Sequence, residues 1–241
     1  MSGLSNKPKK LRGAFVEYGL SIPPLFVVFQ FNPVQLSRNR SLSFSPPNGA
    51  QHKYSQDLAE SGNYGWLSLR KWHQDQSNLA HIQRDQQVDI QEESISLEIR
   101  LDATDKLNEG DPIAATLGVL PQLSTLELMT YPKKESLLGA ALDSLLGATG
   151  KGFSFSKKEN PPMVLFIWGY TRVLPVNINS MSITETEFST ILSPTRATVS
   201  VNLTVIESGE PLYKVYKGIK EVTSLLNLAN ITDVAHVVVP G

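Results

Sequence analysis

The chain has 241 residues, a mass of 26.5 kDa, 41% apolar and 19% charged residues and a net charge of −1, which is the profile of an ordinary globular protein of one large domain. The balance of charge excludes a protein that coats nucleic acid. The lack of cysteine excludes a thiol nucleophile, a disulfide framework and a cysteine-ligated zinc site.

Residues 1–13, with Lys7, Lys9, Lys10 and Arg12, read as a polar, basic arm. The arm has no apolar core of signal-peptide length, so the expected route is synthesis in the cytoplasm. Residues 25–31, "LFVVFQF", are nearly all apolar and predict a strand covered on both faces, ended by Asn32-Pro33. Residues 45–91 are rich in Gln, Asn, Ser and Gly and predict a long polar excursion with little regular structure.

"SISLEIRLD" alternates strictly, placing Ile95, Leu97, Ile99 and Leu101 on one strand face. Asp111-Pro112 is an N-cap and first-turn pair, opening a helical stretch to about Tyr131 that Gly118 and Pro121 interrupt. Leu123, Leu126 and Met129 share helical spacing there. Residues 133–160 read as a helical insertion fading into glycines.

"MVLFIW" predicts a central strand. In "VNINSMSITETEF" the apolar phase shifts between Ile178 and Met181, which predicts a β-bulge near Ser180. "ATVSVNLTV" sends Val199, Val201, Leu203 and Val205 inward and Ser200, Asn202 and Thr204 outward. Leu212–Leu228 is an amphipathic helix with Leu212, Val215, Ile219, Val222 and Leu226 on one stripe. The terminal "ITDVAHVVVPG" reads as a strand needing a partner. The expected fold is α+β and β-dominated, an antiparallel barrel or sandwich with flanking helices. Its main domain spans 14–208 and its C-terminal extension 209–241.

No catalytic, cofactor or metal constellation emerges. His73, Asp75 and His81 match no common zinc spacing, and His52 and His236 stand apart. "GATGKGF" lacks both the first glycine and the Ser/Thr of a phosphate loop. Glu185 and Glu187 are expected on one solvated strand face. No serine lies in a Gly-x-Ser-x-Gly elbow. Adding Arg38 and Arg40 to the basic arm supports a local phosphate or acidic-surface contact and no nucleic-acid domain. Tyr64, Trp66 and Trp72 could stack on a sugar or base, but aromatics in a long loop more often anchor it to its own core.

Taken in order, "FVVFQFNPVQLSRNRSLSF", "ISLEIRLDATD", "LPQLSTLELM", "PPMVLFIWGY" and "FSTILSPTRATVSVNLTVIE" resemble the inner baseplate, or tube-adaptor, proteins of contractile injection systems. The likeness spans residues 14–32, 36–44, 94–130 and 161–207. It implies a tail-tube-like β-barrel or sandwich, a homo-hexameric ring, and partners among the spike hub, inner tube and baseplate or sheath subunits. The residues themselves lead to the expectation of no enzyme activity, cofactor, nucleic-acid partner or stable membrane insertion, since no apolar run approaches the roughly 20 residues of a membrane helix. The setting it implies is a bacterial, phage-tail-like or extracellular particle.

Family members commonly carry a LysM-like module, and "AHVVVPG" looks like its opening strand. The sequence departs from the pattern after Gly241, leaving a remnant or a strand that completes another subunit's sheet. Lys9, Lys10, Arg12, Val237, Val238 and Val239 are therefore the expected subunit contacts. The alternative is a peptidoglycan- or glycan-binding LysM-type module.

Overall fold

The computed structural model describes residues 11–19, 24–47, 68–131, 160–227 and 229. The N-terminal arm through Lys10, the insertion "KESLLGAALDSLLGATGKG" and the terminal strand with Val237–Val239 lie outside these residues. The chain forms two compact units, residues 1–38 with 94–241 and residues 39–93.

The larger unit is α+β and dominated by a curled, antiparallel, seven-stranded sheet, a half-barrel. In chain order its strands are β1 (Ala14–Glu17), β2 (Phe26–Val28), β3 (Leu36–Asn39), β6 (Ser94–Asp102), β7 (Val164–Trp168), β8 (Arg172–Phe188) and β9 (Pro194–Val205). The order across the sheet is β2-β1-β7-β8-β9-β6-β3. "MVLFIW" accordingly supplies an interior strand between β1 and β8. Phe15, Phe29 and Phe166 are fully buried, with the rings of Phe15 and Phe29 edge-on at 5.1 Å.

The alternating strands behave as their pattern dictates. Ile95, Leu97, Ile99 and Leu101 of β6 are buried opposite Leu203, Val201, Val199 and Ala197 of β9. On β8 the register with β9 slips between Ile178 and Ser180, so Asn179 is the extra residue of a bulge. The bulge keeps both Ile178 and Met181 facing the core, although they are three residues apart. A second slip lies between Glu185 and Glu187, where the sequence pattern gives no phase error to announce it.

Strand β2 differs from expectation. Leu25, Val27 and Phe29 are buried, but Phe26 and Val28 are 59% and 47% exposed, so the run is covered on one face only. The reason is its place at the end of the sheet, where no second layer lies over the outer face among the described residues.

Just beyond β2 the chain links the two ends of the sheet. Phe31 forms an antiparallel bridge with Arg100 of β6, after which β3 flanks that strand. The Gln30 side chain imitates a strand partner. Its Nε2 donates to the Asp102 carbonyl at 2.7 Å, and its Oε1 accepts from the Asp102 N–H at 2.8 Å. Asn32 fixes the entry to β1 by accepting from Gly13 N–H and donating to the Leu11 carbonyl.

Helices pack on this frame. A short helix α3 (Thr104–Asn108), which the sequence pattern does not predict, starts where the Asp102 carboxylate accepts from Thr104 N–H. Helix α4 (Pro112–Leu117) is capped by Asp111 as expected, and Gly118 breaks it at φ 56°. Pro121 opens helix α5 (Leu120–Leu128) rather than interrupting one. Leu123, Leu126 and Met129 enter the core.

Helix α6 (Pro211–Leu226) corrects the predicted stripe. Its buried residue is Tyr216, whose hydroxyl accepts from Arg38 Nη1 at 3.3 Å. Leu212 and Ile219 are half-buried, while Val215, Val222 and Leu226 are exposed. Among the described residues no helix is long and apolar enough to cross a membrane.

The smaller unit departs from the expected irregular excursion. It holds β4 (Leu42–Ser45), helix α1 (Leu69–Gln74), helix α2 (Leu79–Asp85) and β5 (Gln87–Ile90). Strands β4 and β5 form an antiparallel ribbon with Leu42 opposite Ile90 and Phe44 opposite Val88. Ser68 and Asn78 cap the two helices through side-chain oxygens that accept from Lys71 and Ala80 N–H. The Ser/Arg segment 36–44 is thus two strands, broken at Arg40–Ser41.

Candidate functional site

Strands β6, β9 and β8 carry a continuous polar face on the side away from the core. Cross-strand registration sets it in rows: Ser96, Asn202 and Ser180; Glu98, Ser200 and Ser182; Arg100, Thr198 and Thr184. Period-2 alternation on three neighbouring strands makes such a surface unavoidable once the apolar set faces inward. A groove of about 1030 Å³ runs over this face, bounded on one side by Phe31, Asn32, Pro33 and Val34.

At one end of the face Arg196 organises a charge cluster. Its Nε donates to Asp102 Oδ2 at 2.7 Å, its Nη1 to Glu187 Oε1 at 2.6 Å and its Nη2 to Thr104 Oγ1 at 3.4 Å. Burial is the largest influence on Asp102 and opposes its ionisation. Hydrogen bonds from the Thr104 hydroxyl and amide and from Arg196, with the guanidinium charge, outweigh it and hold the carboxyl below its ordinary range. The hydrogen bond to Asp102 and the two carboxylate charges push the Arg196 guanidinium up. The cluster ties the starts of β9 and α3 together, and its geometry is that of a structural clamp.

Glu185 and Glu187 do not form the shared face that simple alternation predicts. Glu185 pairs with Ala197 and Glu187 with Arg196, neighbours on β9 that point to opposite sides of the sheet. The register slip between them separates the two carboxylates.

The histidines of the smaller unit are placed apart in role. His73 lies within 5.3 Å of the Trp72 ring, and its Nε2 is 3.2 Å from Gln86 Oε1. His81 sits on α2 near Asp85. Among the described residues no group of three or more potential ligands is arranged to hold a metal. Trp72 is buried in its own unit, so its indole is not a free stacking surface, while Tyr64 and Trp66 lie outside the described residues.

Of the expected contact residues, Arg12 is described and exposed. Lys9, Lys10 and Val237–Val239 lie outside the described residues. Two further surfaces were not anticipated from pattern: the open β2 edge with Phe26 and Val28 outward, and the bare apolar stripe of α6. Neither is legible from the sequence, because exposure depends on which neighbour covers a face. No protein-family model and no curated protein matches this chain.

Proposed function

We propose that the chain is a structural, non-catalytic adaptor of a contractile injection particle, a ring-forming subunit that joins the spike hub to the inner tube and the surrounding baseplate. The observation that carries this reading is the half-barrel itself. Three of its strands have one packed face and one Ser/Thr/Asn-rich face, a surface suited to line a hydrated channel. Its end strands β2 and β3 offer backbone edges for strand addition between subunits. The ordered sequence segments that resemble tube adaptors support the same reading.

In this scheme the ring presents strand edges and flat faces that nucleate the first tube layer. Lys9, Lys10 and Arg12 contact an acidic neighbour, and Val237–Val239 add to a neighbour's sheet. The subunit is made in the bacterial cytoplasm and leaves it as part of a phage-tail-like or extracellular particle.

The test is electron microscopy of the purified protein, alone and mixed with its hub and tube subunits. Rings or stacked complexes in the mixture are the expected result, and persistent monomers overturn the reading. Deleting residues 231–241 should impair assembly while the thermal unfolding of the remaining protein changes little. The glycan-binding alternative predicts retention on peptidoglycan, the adaptor reading none.

A further inference from the structure

Helix α6 carries an apolar stripe that no described residue of its own unit covers. Val215, Val222, Leu225 and Leu226 are 61%, 61%, 64% and 68% exposed, on the flank beside the face that Tyr216 buries. A second oddity lies on the same stripe. Gly218 sits inside the helix, where glycine is disfavoured relative to alanine because it loses the most backbone freedom. A Cβ at that position would meet nothing within 4 Å, so packing among the described residues gives no reason for it.

We propose that this stripe pairs with the same stripe of a second copy, as an antiparallel two-fold helix pair. The register follows from the residues. Val215 of each copy sits in the gap left by the missing Cβ of Gly218 on the other, and the two-fold axis makes this contact twice. The gap lets the helices approach closely at the centre of the pair. Val222 then lies over the first turn of the other helix, at Pro211. Lys214 and Glu221 are seven residues apart on one flank of the stripe, two turns along the helix. In this register Lys214 of each copy faces Glu221 of the other, giving two reciprocal ion pairs. A surface made complementary to itself by charge and by a gap fits a second copy of this chain better than an unrelated partner. The proposal does not depend on the baseplate reading.

The interface is confined to a 16-residue helix, below the size of stable complexes, so micromolar association is expected. Sedimentation equilibrium of the full chain over a concentration series should show the mass rising from 26.5 kDa toward twice that value. Lys214→Glu and Glu221→Lys alone should each weaken the dimer about tenfold, because both pairs become repulsive. The double variant should restore it. Gly218→Leu should abolish association while circular dichroism and the melting temperature show the fold retained. A monomer at every concentration overturns the proposal, as does a double variant no tighter than the single ones. Association that Gly218→Leu leaves intact overturns it too, and points to the sheet edges instead.

Discussion

Gln30 ties the segment after β2 to β6 with two hydrogen bonds to Asp102, and Gln30→Ala tests how much that link contributes. The substitution leaves the N–H and C=O of Asp102 without the partners now at 2.8 and 2.7 Å. An amide group stripped of its partner costs about 1–3 kcal/mol when buried, and less where water can reach it. Gln30 is half-buried, so the two groups together should cost about 2–3 kcal/mol. For a chain of this size that lowers the melting temperature by roughly 4–12 °C. Gln30→Glu is the sharper probe. It keeps the acceptor for Asp102 N–H but sets a carboxylate oxygen against the Asp102 carbonyl, so at pH 7 it should be at least as damaging as alanine. A carboxylate in that position has its folded pKa raised, so its cost relative to the parent should shrink as the pH falls and the acid form donates again. The assay is urea unfolding followed by circular dichroism at pH 7 and near pH 4. A Gln30→Ala protein within about 0.5 kcal/mol of the parent would refute the view that this side chain holds the two ends of the sheet together.

Gly118→Ala should be severe, since the new Cβ would lie 2.0 Å from the Pro194 carbonyl oxygen at a backbone φ of 56°. A loss of about 3 kcal/mol or more is expected in the same unfolding assay, against a few tenths for alanine at the open Gly209. Leu192 has φ 62° and is exposed, so Leu192→Gly should raise stability by up to about 1 kcal/mol while Leu192→Ala should not, because only glycine removes the left-handed strain. Asp102 has a folded pKa below its unfolded value, so its contribution is complete above the ordinary carboxylate pKa of about 3.9 and is lost as the pH falls through the folded value. Asp102→Asn should therefore lower stability at pH 7 and flatten the acid limb of the stability profile, and an unchanged limb would remove the clamp from the account.

The sequence alone determined every strand whose face is dictated by period. β6 and the Ala197–Val205 part of β9 alternate without a break, the phase error between Ile178 and Met181 located the first bulge, and Asp111-Pro112 capped its helix as expected. These features are local, fixed by side-chain direction and backbone chemistry within a few residues. Tertiary structure decided the rest, because burial is a property of neighbours. The apolar run at β2 exposes Phe26 and Val28 since it lies at the end of the sheet, and the second bulge sends Glu185 and Glu187 to opposite faces since Arg196 claims one of them. The amphipathic pattern of α6 correctly announced a helix with an apolar stripe, but Tyr216 and Arg38, distant in sequence, set its rotation and left part of that stripe bare. Apolar residues at helical spacing show that a helix has a face to cover; only packing in three dimensions shows which part of that face its own core reaches.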